Sequence, residues 1–401
     1  MLPANAASQT VAGGHPHPIT WRDGLMKMTN KVSFGLALLG LFCIVAVCTS
    51  RSHDESFTEE GLFETDASEL KCTIVTPHLE AAVVPGESIL WCGSFQLAWN
   101  EACSLFGGGL RFGDEPTMVT VLNKRTFTRQ YLDAESYVAV ADLVENDVHR
   151  QIVQQLECTF AGEATPHYIP PEGLTPRPQD VVVYAYLYKN LEFQTPFERL
   201  AEPIVFGGSQ VPCFGIGEEY KSKHFEMLKQ LQILDYQNED DFVIELRTKG
   251  VRDRVILAKV QPGTTLEATI EAVQNRAANS DPASPQIGDV LKVPKFNFDI
   301  TRRYRELEGK KLLHTNPSLA SDLVVGSAIQ NVRFQFDEKG VRLRSESHVT
   351  FGCGGPPPPP PTRHIMVFDE PFLLLLQRVE ADVPYFAVWV ANPEVLVKVG
   401  E

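Results

Sequence analysis

The sequence predicts an α+β fold, with helices toward the N-terminus and a large mixed or antiparallel β-structure toward the C-terminus. Two observations carry this. Apolar residues at helical spacing are concentrated before Phe160, whereas the last quarter is dense in short β-branched and aromatic runs. A third sets the scale: 401 residues, 43% hydrophobic and 22% charged, suffice for the core of one large domain or two modest ones. Thirty-six Lys and Arg against 51 Asp and Glu leave a formal charge of −15, which repels a phosphate backbone and argues against nucleic acid as a partner. Eight Cys without a Cys-x-x-Cys pair supply neither a disulfide scaffold nor a structural zinc motif, so the core must come from ordinary burial.

Residues 1–31 form an N-terminal extension that resembles no targeting segment up to Leu25, and Met26 or Met28 would be a more conventional start. Val32 to Val47 is an uncharged run of sixteen residues behind Lys27 and Lys31. Segment 32–50 reads as a signal peptide, with an uncleaved membrane anchor as the alternative. Cys48 follows Val45-Ala46-Val47, close to a bacterial lipobox although Val47 is bulky for one, so lipidation at Cys48 is weighed against an ordinary residue ending the run. Residues 51–71 are acidic and read as a solvated tether, placing the folded part, 72–401, outside the cytoplasm, secreted or held at a membrane. Such a compartment permits disulfides among Cys72, Cys92, Cys103, Cys158, Cys213 and Cys353; if Cys92 and Cys103 share a helix they lie too far apart to bond.

Within the folded part, Gly86 to Phe106 is predicted as a helix capped by Ser88 and ended by Gly107-Gly108-Gly109. A second is expected from Ala134 to about Phe160, followed by a Pro-rich surface connection from Thr165 to Pro178. Val181 to Tyr188 reads as a buried central strand. A helix near Glu218 to Leu231 precedes strands at Phe242 to Leu246 and Arg254 to Val260, and Leu266 to Arg276 reads as a helix capped by Thr264 or Thr265. Strands are then expected at Phe296 to Ile300, Val332 to Phe336, Arg342 to Phe351, Ile365 to Phe368, Phe372 to Val379 and Tyr385 to Val390.

Several of these strands carry wording that resembles the serpins, the serine protease inhibitor superfamily. Phe334 to Gly340 is similar to the strand and proximal hinge before the serpin reactive-centre loop, and Phe368 to Leu376 to the Phe-x-x-Pro-Phe strand after it. Val388-Trp389-Val390-Ala391-Asn392-Pro393 resembles the Gly-x-Val-x-Asn-Pro ending, with Val388 or Ala387 where Gly is usual. Val293-Pro294-Lys295-Phe296 and Val181 to Phe197 resemble two strands of serpin sheet A, the second with Tyr184 in place of Asn and Phe193 in place of Trp. The resemblance spans Glu87 to Glu401 and implies a divergent, reduced, bacterial member. Only about 75 residues separate the first helix from Val181, the Ser-Pro element after that helix is missing, and Tyr184 and Gln330 stand where inhibitory serpins have the Asn and His of their polar shutter.

The resemblance implies a loop from Val341 to His364, with Glu338, Gly340, Val341, Leu343 and Ser345 as hinge and Cys353, Gly354, Gly355 or Arg363 as bait candidates. The stretch from Val341 to Val349 alternates apolar or small with charged or polar side chains, a period-two strand pattern. It either inserts into the sheet after cleavage or already lies there. The β-branched and long residues favour the second reading, as they stabilise a strand rather than a mobile loop. Pro356 to Pro361 would make a polyproline II rod of about 19 Å, a spacer more than bait.

No Gly-x-Ser-x-Gly elbow, Walker loop or His-Glu-x-x-His helix is present. A Cys-His pair such as Cys213 with His224 carries almost no weight as a nucleophile, Asp240-Asp241 reads as a solvated turn, and the His residues read as surface groups rather than ligands. No cofactor or metal is expected. Three functions compete: a non-inhibitory binding or structural protein at the cell surface, which the altered shutter and the rod favour; a serine or cysteine protease inhibitor acting through 340–363; and a hydrolase. Partners would be an extracellular protein or a protease, and the oligomeric state is open.

Overall fold

The ladder pattern of apolar strands resolves into two stacked β-layers in the computed structural model, which describes residues 61–160, 177–219, 221–341 and 363–399, all in one unit. The order begins with β1 (Phe63–Asp66), β2 (Thr73–Thr76), β3 (Ser88–Cys92), α1 (Ser94–Phe106) and α2 (Thr117–Leu122). It continues through β4 (Tyr137–Leu143), α3 (Val148–Thr159), β5 (Val181–Leu187), β6 (Leu191–Glu192) and β7 (Glu198–Arg199). The hairpin β8 (Ile204–Phe206) and β9 (Ser209–Val211) leads to β10 (Cys213–Ile216), α4 (His224–Lys229), β11 (Leu231–Asn238), β12 (Asp241–Leu246), β13 (Asp253–Lys259) and α5 (Leu266–Asn279). The chain closes with β14 (Val290–Pro294), β15 (Phe296–Arg303), β16 (Ile329–Asp337), β17 (Gly340–Val341), β18 (Ile365–Val367), β19 (Phe372–Arg378) and β20 (Phe386–Val390). The predicted α+β class holds.

A seven-stranded sheet runs β11-β12-β13-β19-β20-β3-β2, and a five-stranded sheet runs β1-β15-β16-β17-β6. Leu373 to Leu376 is buried at every position because β19 is central, laddered antiparallel to β13 and β20 with both faces covered. The two sheets meet through aromatic side chains: Phe334 of β16 stacks on Phe386 of β20 at 4.5 Å, and Phe296 of β15 meets Phe372 of β19 at 6.2 Å. A four-stranded sheet, β18-β14-β10-β7, closes one end.

Where a short apolar run fits either period, the structure departs from the expected elements. Ser88 does not cap a helix. It begins β3, whose Ser-Ile-Leu-Trp run is fully buried, and its Oγ accepts from the Ala391 N–H at 3.0 Å. The helix starts at Ser94 and ends at Gly107, which takes φ 80° as a left-handed C-cap. Cys92 and Cys103 therefore sit on a strand and a helix, and the five Cys among the described residues are free thiols. The expected helix from Ala134 is half strand: Tyr137–Leu143 pairs residue for residue with β5, and the α-helix begins only after Asp147. β5 is half-buried throughout rather than deeply buried, pairing with β4 in a two-stranded ladder among the described residues. Within the acidic 51–71 stretch, Phe63–Asp66 is no tether: it ladders parallel to β15. The Thr165 to Pro178 connection lies outside the described residues up to 176, and so do the N-terminal segments, Cys48 and the strand expected from Arg342.

Candidate functional site at the strand hinge

β16 turns at Asp337 into a two-residue hairpin loop, Glu338-Lys339, and returns as β17. The Asp337 side chain caps the turn by accepting from the Lys339 N–H at 2.8 Å. Gly340 takes φ +136°, and a Cβ there would stand 2.6 Å from the Leu191 carbonyl oxygen, so the close approach of β6 admits only glycine. β17 is laddered on both flanks: Val341 pairs with Phe336 of β16 and with Leu191 of β6, and its side chain is buried. The N–H groups of Phe193 and Phe197 donate to Lys339 O at 3.0 Å and Glu338 O at 2.8 Å, fastening the loop to the chain after β6.

The Glu338 side chain is 12% exposed, in a close ion pair with Lys295 and 3.3 Å from Arg199. Burial pushes its carboxyl up, but the Lys295 hydrogen bond, a backbone hydrogen bond and the charges of Lys295 and Arg199 outweigh that and hold it below the usual carboxylate range. A cavity of about 160 Å³ adjoins the turn, with Lys295, Gln335 and Asp337 on its wall. Chemically the arrangement is a clamp: it fixes a strand start between two strands and offers no nucleophile.

The far side of the loop is anchored as well. The His364 N–H donates to Asp289 Oδ1 at 2.8 Å, its Nδ1 lies 3.0 Å from Asp289 Oδ2, and its carbonyl accepts from the Val290 N–H. Arg363 is exposed and 3.5 Å from Glu218. Of the candidates named from sequence, Glu338, Gly340 and Val341 are thus brought together, Arg363 stands at the other anchor, and Leu343, Ser345, Cys353, Gly354 and Gly355 lie outside the described residues.

On β16, Gln330, standing where the resemblance expects a shutter histidine, makes a polar network of its own. Its Nε2 donates to Cys92 O and Ser94 Oγ, both at 3.0 Å, and its Oε1 accepts from the Tyr304 hydroxyl at 2.8 Å. Tyr184 lies on β5 and packs in the apolar cluster under α3.

Lys295, Arg199, Asp289 and His364 were not singled out from sequence. Lys295 sits inside the quoted Val-Pro-Lys-Phe motif, the one signal that pointed to it. Cys213 and His224 turn to different partners: the buried thiol donates to Glu202 O at 3.3 Å, with burial pushing its pKa up, while His224 Nε2 lies 3.0 Å from Glu198 Oε2. His224 is 3% exposed and so is no surface histidine. Asp240 lies in the exposed β11–β12 turn as expected, and the two acids there also pair with Lys259 at 3.0 Å and Arg276 at 2.6 Å.

No family model matches the chain, and no curated protein matches it. Among solved structures it is similar to a thyroxine-binding globulin complex with thyroxine, at 14% identity and TM-score 0.43, over 77% of this chain and 94% of that one. Human thyroxine-binding globulin complexed with thyroxine aligns at 13% identity and TM-score 0.46, covering 77% and 93%. Human glycosylated kallistatin aligns at 13% identity and TM-score 0.43, covering 77% and 92%.

Proposed function

We propose that this is an exported serpin-like protein with a non-inhibitory binding or structural role at the cell surface, meeting an extracellular protein through the region around its loop. The observation that carries the reading is that β17 already lies in the sheet, laddered to β16 and β6, with Glu338 clamped by Lys295. A hinge that must enter the sheet on cleavage gains least when its first residues are already paired. Export rests on the apolar Val32 to Val47 segment and its basic flank.

A second reading, inhibition of a serine or cysteine protease, draws on the register. Val341 is buried at 4% exposure, and in the sequence the alternation of apolar or small with charged or polar residues continues through Leu343 and Ser345. The deciding experiment is a thermal melt of the full chain before and after limited proteolysis mapped to residues 342–362. An unchanged melting temperature supports the non-inhibitory role. A steep rise after cleavage replaces it with the inhibitor reading, and the cut bond names the protease class.

A further inference from the structure

The β11 edge of the seven-stranded sheet carries a cleft of about 430 Å³ that shares no residue with the clamp or with either loop anchor. It is lined by α4, by the start of β11 and by the loop between α5 and β14. Pro282 and Pro285 stiffen that loop, and between them the Ala283 N–H donates to Ile233 O at 2.9 Å, which ties the loop to β11. Phe225 of α4 and Ile287 of the loop are 53% and 55% exposed and belong to none of the core clusters. Leu228 and Leu231, both buried, complete an apolar lining that the core does not use.

No carboxylate among the described residues lines the cleft, and two cations do, Lys229 and Arg247. They are not equivalent. Lys229 Nζ donates to both oxygens of Glu226, at 2.7 and 2.9 Å, and lies 4.6 Å from the centre of the Phe225 ring, so its charge is balanced and it steadies the ring. Arg247, exposed just past the end of β12, pairs with no carboxylate among the described residues; its Nη2 donates to Gln232 Oε1 at 2.6 Å, one of the five N–H donors a guanidinium carries. That bond turns the Gln232 amide oxygen toward Arg247 and leaves its Nε2 hydrogens without a partner among the described residues. The uncommitted groups of both side chains are donors. They call for an anionic acceptor beside an apolar body.

We propose that this cleft binds a small organic monocarboxylate with an aromatic or branched aliphatic body. The carboxylate accepts from the Arg247 guanidinium and the Gln232 amide, and the apolar body lies against Phe225, Ile287, Leu228 and Leu231. A planar guanidinium matches a planar carboxylate with two parallel N–H···O bonds, which an ammonium cannot do. The net charge of −15 opposes an anion at long range, but salt at 0.1 M screens it beyond about 10 Å, so the adjacent unpaired guanidinium decides. The volume lies in the range of sites for small organic molecules. The inference stands whether the hinge is inhibitory or not.

The test is calorimetric titration of the full chain with 2-naphthylacetate, a fused aromatic body carrying one carboxylate. Saturable binding in the millimolar range or tighter is expected, weakening as salt rises. The uncharged 2-naphthylacetamide should bind about tenfold more weakly, and Arg247→Gln should weaken the carboxylate by about the same factor while leaving the amide unchanged. Phe225→Ser, an exposed position whose loss leaves the core intact, should weaken both ligands. Absence of saturable binding, equal affinity for the amide, or an Arg247→Gln affinity equal to that of the unaltered chain overturns the proposal. The same chemistry is presented by the C-terminus of a peptide: if acetyl-Gly-Phe with a free carboxylate binds and 2-naphthylacetate does not, the small-molecule assignment is overturned in favour of a peptide end.

Discussion

At Gly340 a positive φ and the approach of the Leu191 carbonyl coincide, so any side chain must displace backbone rather than a flexible neighbour. Gly340→Ala is expected to destabilise the fold by about 2 kcal/mol or more, read by urea denaturation. Two residues away, Glu338 is held below its ordinary pKa, so the stability it contributes is present above the unfolded carboxylate pKa and lost as pH falls through the folded one. Lys295→Met leaves that carboxylate with Arg199 alone and should cost about 2 kcal/mol at neutral pH; Glu338→Gln should remove part of the acid sensitivity. Glu198 shows the same sign more strongly. Burial works against its charged form, yet Lys223, His224 and Lys221 bring its pKa from 4.5 down to about 2. Its contribution of about 3 kcal/mol is complete above about pH 4.5 and disappears as pH falls toward 2. Comparing acid unfolding of Glu198→Gln with that of the unaltered chain checks this: the variant should be less stable at pH 7 and lose less between those two pH values.

Among the elements, α5 was the best read. Leu266 to Arg276 was expected as a helix with a threonine cap, and the helix runs Leu266–Asn279 with Thr265 Oγ1 accepting from the Ala268 N–H at 3.1 Å. Thr265→Ala should lower stability by about 1 kcal/mol in a thermal or urea melt, while Thr264→Ala should have a smaller effect. The cap and the apolar periodicity are local, so α5 is legible. β3 and β4 are not, because the five apolar-rich residues of Ser88–Cys92 and the alternation in Tyr137–Leu143 satisfy a helical period as well as a strand. What decides them is a partner: β20 and β2 flank β3, and β5 lies in full register with β4. Gln330 belongs to the same lesson. As one residue it reads as a departure from the shutter pattern, but in the fold it joins β16 to the β3–α1 junction through Cys92 and Ser94 and to Tyr304 at the end of β15.

Over the whole molecule, the two large sheets share an aromatic core, and the described residues on either side of 342–362 are fastened by two anchors, Glu338–Lys295 and His364–Asp289. With both ends fastened and β17 already paired, cutting the loop between residues 342 and 362 should release little energy, and the melting temperature should stay where it was. What the sequence determined by itself was whatever is encoded over a few residues: the α+β class, the late strands with their buried Leu373 to Leu376 run, and the α5 cap. Tertiary structure alone decided the rest. Lys295 meets Glu338 across 43 residues, and Lys259 meets Asp369 across 110. The reason is physical: periodicity and turn chemistry report a residue's neighbours along the chain, whereas the charge a carboxylate feels depends on which strands the sheet sets side by side.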